Sequence, residues 1–177
     1  QPMTTYRPPA LSPTAAAQLT QAHRALRLGR PEAVWATLHQ LWSHQASPGL
    51  YTWDAPRPTQ DEVADGWQYA RGWHNETAVS PDYETAALLL LLQQDMLAYL
   101  DEAAAEPTVV LGAGITPAWL PQPMAVSNLA LPGGTVTWQW DGQKMRVTLR
   151  GPVRKIQLGS AFPPGTELAV VQKPLRP

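Results

Sequence analysis

The spacing of apolar residues changes at Pro107, and this change constrains the fold more than any other feature of the chain. Before it, apolar residues recur at intervals of three and four; after it, they alternate. The first pattern lays a stripe along a helix, and the second lines one face of a strand. A chain carrying both in succession reads as α+β: a helical segment over residues 1–106, then a small antiparallel β unit over 107–177. Its 177 residues suffice for one domain with a core of its own, or for two small ones.

Ser12-Pro13 reads as a helix start, because a serine side chain caps free N–H groups and proline fits the first helical position. Ala15, Ala16, Leu19, Ala22, His23, Leu26 and Leu28 follow at near-helical spacing, and Gly29 offers a left-handed C-cap. The first helix is expected over 12–28. Pro31 opens a second over 31–44, with Val34, Trp35, Leu38, Leu41 and Trp42 on one stripe. So short a link predicts an antiparallel helical hairpin. Ser80-Pro81 repeats the start, and a third helix is expected over 81–104 with Asp82 and Glu84 at its positive end. The unbroken leucines from Leu88 to Leu92 make it apolar nearly all round. Such a helix asks for neighbours on several sides, more than this chain supplies.

Strands are expected only beyond Pro107, at 108–112, 125–131, 135–140, 143–149, 154–158 and 167–172. Asp141-Gly142 is a favoured two-residue hairpin loop. Pairing outward from it sets Trp138 opposite Met145 and Val136 opposite Val147 on one face, with Thr137 and Arg146 on the other.

Composition removes several classes of function. A net charge of -1 excludes a basic protein that coats nucleic acid electrostatically. The lack of cysteine excludes disulfides, thiolate metal sites and cysteine nucleophiles. His23, His39, His44 and His74 lack the spacing of a zinc site, and no phosphate loop, dinucleotide fingerprint or Gly-x-Ser-x-Gly elbow occurs. No cofactor and no metal are therefore expected. No apolar run approaches the roughly 18–20 residues that span a bilayer, so no membrane partner is expected either. The start at Gln1 shows no basic region followed by an apolar signal core. The compartment stays open, export included.

The segment from Ser43 to Val79 breaks the periodicity and leaves an aromatic loop over 45–79. Only a short helix near 60–69, capped by Thr59, is expected within it. A connection this long is usually functional or disordered, and Trp53, Trp67 and Trp73 argue against disorder. The loop collects Tyr51-Thr-Trp-Asp54, Asp61-Glu62-x-x-Asp65-Gly-Trp67 and Arg71-Gly-Trp-His-Asn75-Glu76. Cleaving a glycosidic bond takes two carboxyl groups flanking the bond, and tryptophan gives a flat apolar face with a polar tip. Glu62, Asp65 and Glu76 are the candidate catalytic carboxylates. Trp53, Trp67 and Trp73 are candidate stacking platforms, and Arg71, His74 and Asn75 candidate donors and acceptors for sugar hydroxyls. The plainer reading has the tryptophans anchoring a long loop on the helices and the acids in solvent. Exposure of the indole faces separates the two.

The run Leu38-His-Gln-Leu-Trp-Ser-His-Gln-Ala-Ser-Pro-Gly-Leu-Tyr-Thr-Trp53 resembles the late helical hairpin of bacterial six-hairpin, (α/α)6-toroid glycosidases. There, a helix leads into a Gly-x-Tyr-x-Trp loop facing the central pocket. Val79-Ser-Pro-Asp-Tyr-Glu-Thr-Ala-Ala with the leucines behind it resembles the start of the last toroid helix. Leu111-Gly-Ala-Gly-Ile-Thr-Pro-Ala-Trp-Leu120 and the Trp138 hairpin resemble the β domain that follows. A closed ring of six hairpins needs far more helix than this chain holds, so the resemblance is to the C-terminal end of such an enzyme or to a reduced relative, and not to a whole one. It implies a glycoside hydrolase-like region contributing part of a sugar pocket, with an oligo- or polysaccharide as partner. It also implies an N-terminal part of a larger chain that supplies a second carboxylate, and no turnover by the isolated chain. The alternative is a non-catalytic structural or interaction module.

Overall fold

The structure, a computed structural model, describes residues 14–43, 55–56, 78–79, 83–152 and 154–174. Helix α1 (Ala15–Arg27) is capped by Thr14, whose hydroxyl oxygen accepts a hydrogen bond from the Ala17 N–H at 3.2 Å. The cap thus lies two residues beyond the expected Ser12, because threonine satisfies the same orphan donor. Leu19, Ala22 and Leu26 form the buried stripe. Gly29, at φ +68, ends the turn as expected: its N–H returns to the Leu26 carbonyl and that of Arg30 to the Ala25 carbonyl. Helix α2 (Pro31–Ser43) follows, burying Val34, Leu38 and Leu41.

Within the segment expected to hold no strand, β1 (Ala55–Pro56) and β2 (Ala78–Val79) form a two-residue antiparallel ladder. A pairing this short leaves no periodic signature in the sequence. Helix α3 (Tyr83–Leu97) is shorter than the expected 81–104, and the chain passes without a linker into strand β3 (Ala98–Asp101). The strand forms because Ala98 to Asp101 pair in register with Leu111 to Thr108 of β4 (Thr108–Leu111). Ladder bonds and burial there outweigh local helix propensity. Within this chain the leucine run is covered on one side. Leu92 is fully buried, but Leu90 and Leu91 are 67% and 55% exposed.

The remaining strands are β5 (Met124–Leu131), β6 (Gly134–Trp140), β7 (Lys144–Arg150), β8 (Lys155–Leu158) and β9 (Glu167–Lys173), with a short 3-10 helix at Pro117–Trp119. Two sheets result, ordered β3-β4-β8 and β5-β6-β7-β9. Antiparallel pairs predominate, as expected, but β8 joins β4 and β9 joins β7 in parallel. The architecture is α+β in three layers. Ala98, Val109 and Leu111 face Val136, Trp138, Trp140, Met145, Val147 and Leu149 across the gap between the sheets. Tyr99 and Val110 point the other way, onto Leu19, Leu26, Val34, Leu38, Leu92 and Met96 of the helices. All four residues of β4 are buried, as befits a strand covered on both faces.

The β6–β7 hairpin departs from its expected register. Trp138 lies opposite Val147, Trp140 opposite Met145 and Val136 opposite Leu149. The loop is Gly142-Gln143, because Asp141 acts as the flanking residue. Its Oδ1 accepts from the N–H groups of Gln143 and Lys144 at 3.1 and 3.0 Å. Gly142, at φ +101, takes the first loop position, where a primed turn requires glycine. The displacement is two residues, so every side chain keeps its face. Trp138, Val136, Met145 and Val147 are all buried, as expected.

Two outcomes follow from this hairpin. Trp138 is 1% exposed and its indole N–H donates to the Leu97 carbonyl at 3.1 Å. Trp138→Ala should cost about 3–5 kcal/mol in denaturant melts, and curves that overlay the parent would contradict its burial. The two backbone N–H bonds, helped by nearby Arg146 and Lys144, hold the Asp141 carboxyl below its ordinary value of 3.8. A carboxyl lowered by folding stabilises the native state above its unfolded value and loses that contribution as pH falls through the folded one. Asp141→Ala should therefore lower stability at neutral pH, with the gap to the parent closing in strong acid. A gap independent of pH would refute the charge-based account.

Candidate functional site

The residues singled out by sequence, namely Trp53, Glu62, Asp65, Trp67, Arg71, Trp73, His74, Asn75 and Glu76, lie outside the described residues. The ladder of β1 with β2 sets Ala55 beside Val79 and Pro56 beside Ala78. The chain thus departs at 56 and returns at 78 to one place.

Among the described residues the concentrated aromatic surface lies between α2, α3 and the turn leading to the 3-10 helix. Spacings of four and seven put Trp35, His39 and Trp42 on one face of α2. The Trp35 ring lies 6.2 Å from His39 and 6.4 Å from Trp42, and His39 meets Trp42 edge-on at 5.8 Å. Trp119 closes the group from the 3-10 helix, 5.3 Å from Trp35. The Trp35 indole N–H fixes the arrangement by donating to the Gly114 carbonyl at 2.8 Å. Gly114 is obligatory here, since a Cβ would collide with the Met96 side chain.

The rings enclose a slot of about 180 Å³, floored by Leu38, Met96, Leu97 and Ile115 with Gln93 beside them. Trp42 and Trp119 stand 42% and 43% exposed, so part of each indole is open to solvent. Neither indole N–H has a hydrogen-bond partner among the described residues. Among the described residues no carboxylate and no cation lines the slot.

A second, wider depression of about 680 Å³ lies between Pro117–Pro121, Gly142–Gln143 and Pro163–Glu167. Among the described residues Glu167 is its one acid, and its carboxylate sits 3.9 Å from the Lys144 ammonium. Trp140 at its base is buried and donates to the Leu120 carbonyl, so it offers no open platform. Neither depression brings two carboxyls together from the described residues.

A charged cluster elsewhere is a fastening. The Arg27 guanidinium lies 3.7 Å over the Tyr99 ring and 2.9 Å from Asp95 Oδ2, and His23 Nε2 lies 3.8 Å from the same oxygen. It ties α1, α3 and β3 together. Burial pushes the Tyr99 hydroxyl above its ordinary pKa of 10.0, with Arg27 opposing the shift. Among the described residues no three His, Asp or Glu side chains converge as metal ligands, and no helix is long and apolar enough to cross a membrane.

In comparisons with known proteins the chain matches no protein-family profile, no curated protein and no solved structure.

Sequence reasoning placed Trp35 and Trp42 on the apolar stripe of α2 without assigning them to a site. Their seven-residue spacing was the usable signal, whereas Trp119 joins them through tertiary structure alone. Trp35→Phe keeps a ring in place but leaves the Gly114 carbonyl without its donor. The loss should be about 1–3 kcal/mol, read as a lowered denaturant midpoint with an unchanged slope.

Proposed function

We propose that this chain is the carbohydrate-binding C-terminal region of a glycoside hydrolase-like protein, contributing part of a sugar pocket without hydrolysing glycosides alone. The supporting observation is the concave aromatic slot at the end of α2, with Trp42 and Trp119 open to solvent. Sugar rings present an apolar C–H face that stacks on indole, and the two indole N–H groups offer donors to hydroxyls. In sequence, α2 with its Trp42 is followed by the segment that carries Trp53, Trp67, Trp73 and the candidate acids Glu62, Asp65 and Glu76. Catalysis in isolation is not proposed, because glycoside cleavage needs two carboxyls about 5–10 Å apart across the bond. The described depressions hold at most one.

The lining of the slot, uncharged among the described residues, supports a second reading, a non-catalytic module that receives an apolar group of a protein partner. Titration with oligosaccharide mixtures, followed by tryptophan fluorescence and NMR, tests the first. Weak saturable binding, reduced by Trp42→Ala, together with silence on aryl glycoside substrates is the expected result. Turnover abolished by Glu62→Gln or Glu76→Gln would overturn the proposed inactivity. An absence of binding to every sugar would leave the interaction module as the reading.

A further inference from the structure

We infer that the slot between Trp35, Trp42 and Trp119 receives a compact, uncharged aromatic ring, so that the ligand is a glycoside bearing an aromatic aglycone. The inference rests on the carbohydrate reading and names the substrate class of the same site. Size is the first argument. The slot measures about 180 Å³, close to the roughly 150 Å³ of an apolar cavity that takes up benzene.

Chemistry is the second argument. A pyranose carries hydroxyls around its whole edge, and burying one without a partner is costly. Among the described residues the interior supplies few such partners, and the Gln93 amide, the polar side chain of the lining besides the indoles, is itself exposed. The Trp35 N–H is taken by the Gly114 carbonyl, and Leu38, Met96, Leu97 and Ile115 present carbon and sulfur. A flat apolar ring meets none of this cost and gains offset or edge contacts with tilted indoles. Charge is the third. Among the described residues the lining holds no cation or carboxylate, so an ionised ring would lose its hydration for nothing in return. Among the described residues the unpartnered donors belong instead to Trp42 and Trp119, the two half-exposed walls. Polar atoms of the ligand therefore belong outside the slot and its ring inside.

The test uses the full chain, labelled with ¹⁵N, and three sets of probes: phenol as the ring alone, methyl glycosides of several sugars, and phenyl glycosides of the same sugars. The indole N–H signals of Trp42 and Trp119 are identified by Trp→Phe replacement and then followed in each titration. Phenol should move both signals, and at least one phenyl glycoside should bind about tenfold or more tightly than its methyl counterpart. Gln93→Trp, made at an exposed position beside the slot, should erase that difference by filling the mouth. Trp119→Ala should reduce it by removing a wall. Equal binding of methyl and phenyl glycosides with phenol silent would overturn the inference and leave the carbohydrate reading standing. Phenol binding with methyl glycosides silent and phenyl glycosides no tighter than phenol would overturn the carbohydrate reading, and the two-part ligand with it. Silence of all three probe sets would overturn both.

Discussion

The molecule is organised around a helix that turns into a strand with no residue between. At the end of α3 the carbonyls of Met96 and Leu97 lose their helical partners, as the last carbonyls of any helix do. Here they are satisfied by the protein itself. The Gly114 N–H donates to Met96 at 2.8 Å, the Gly112 N–H to Leu97 at 2.8 Å, and the Trp138 indole to Leu97 at 3.1 Å. Three distant parts of the chain are thereby drawn to one point. Glycine is needed at both turn positions. Gly112 sits at φ +63, and Gly114 leaves room for Met96.

Much else depends on that junction. With Gly114 held by Met96, its carbonyl is presented to Trp35, and Trp35 then positions the aromatic face of α2. With Leu97 held by Trp138, the larger sheet is docked on β3 in the one orientation that buries Trp138. The fastening of Arg27 to Asp95 and Tyr99 secures α1 to the same corner. The slot is thus built on rigid elements, with one wall each from α2, α3 and the 114–119 turn.

What could be read from the sequence was whatever depends on near neighbours along the chain. The helical stripes of α1 and α2, the Gly29 stop and the inward face of the β6–β7 hairpin all follow from spacing. The hairpin face was right although the register was not, because a two-residue slip preserves the alternation. Ala98-Tyr99-Leu100 looked helical because nothing local opposes it, and the strand β4 that captures it lies beyond a turn. The parallel partners of β4 and β7 were hidden for the same reason. Of the slot, two tryptophans were visible as a stripe, and the third was not. The acids and tryptophans of the 51–76 stretch belong to the part of the chain that the structure does not describe.

The two parallel pairings carry a consequence for how the chain assembles. Strand β4 is complete only when Lys155 to Leu158 lie beside Thr108 to Leu111, and β7 only when Glu167 to Lys173 lie beside Lys144 to Arg150. Both closures are long-range, and pairings of high contact order form slowly. During synthesis the helices and β3 emerge first, followed by β4 with an open hydrogen-bonding edge of four apolar or hydroxylated residues. Until β8 leaves the ribosome, that edge can pair with a strand of another nascent chain. Between translation of Leu111 and of Leu158, that edge of β4 lacks its native partner.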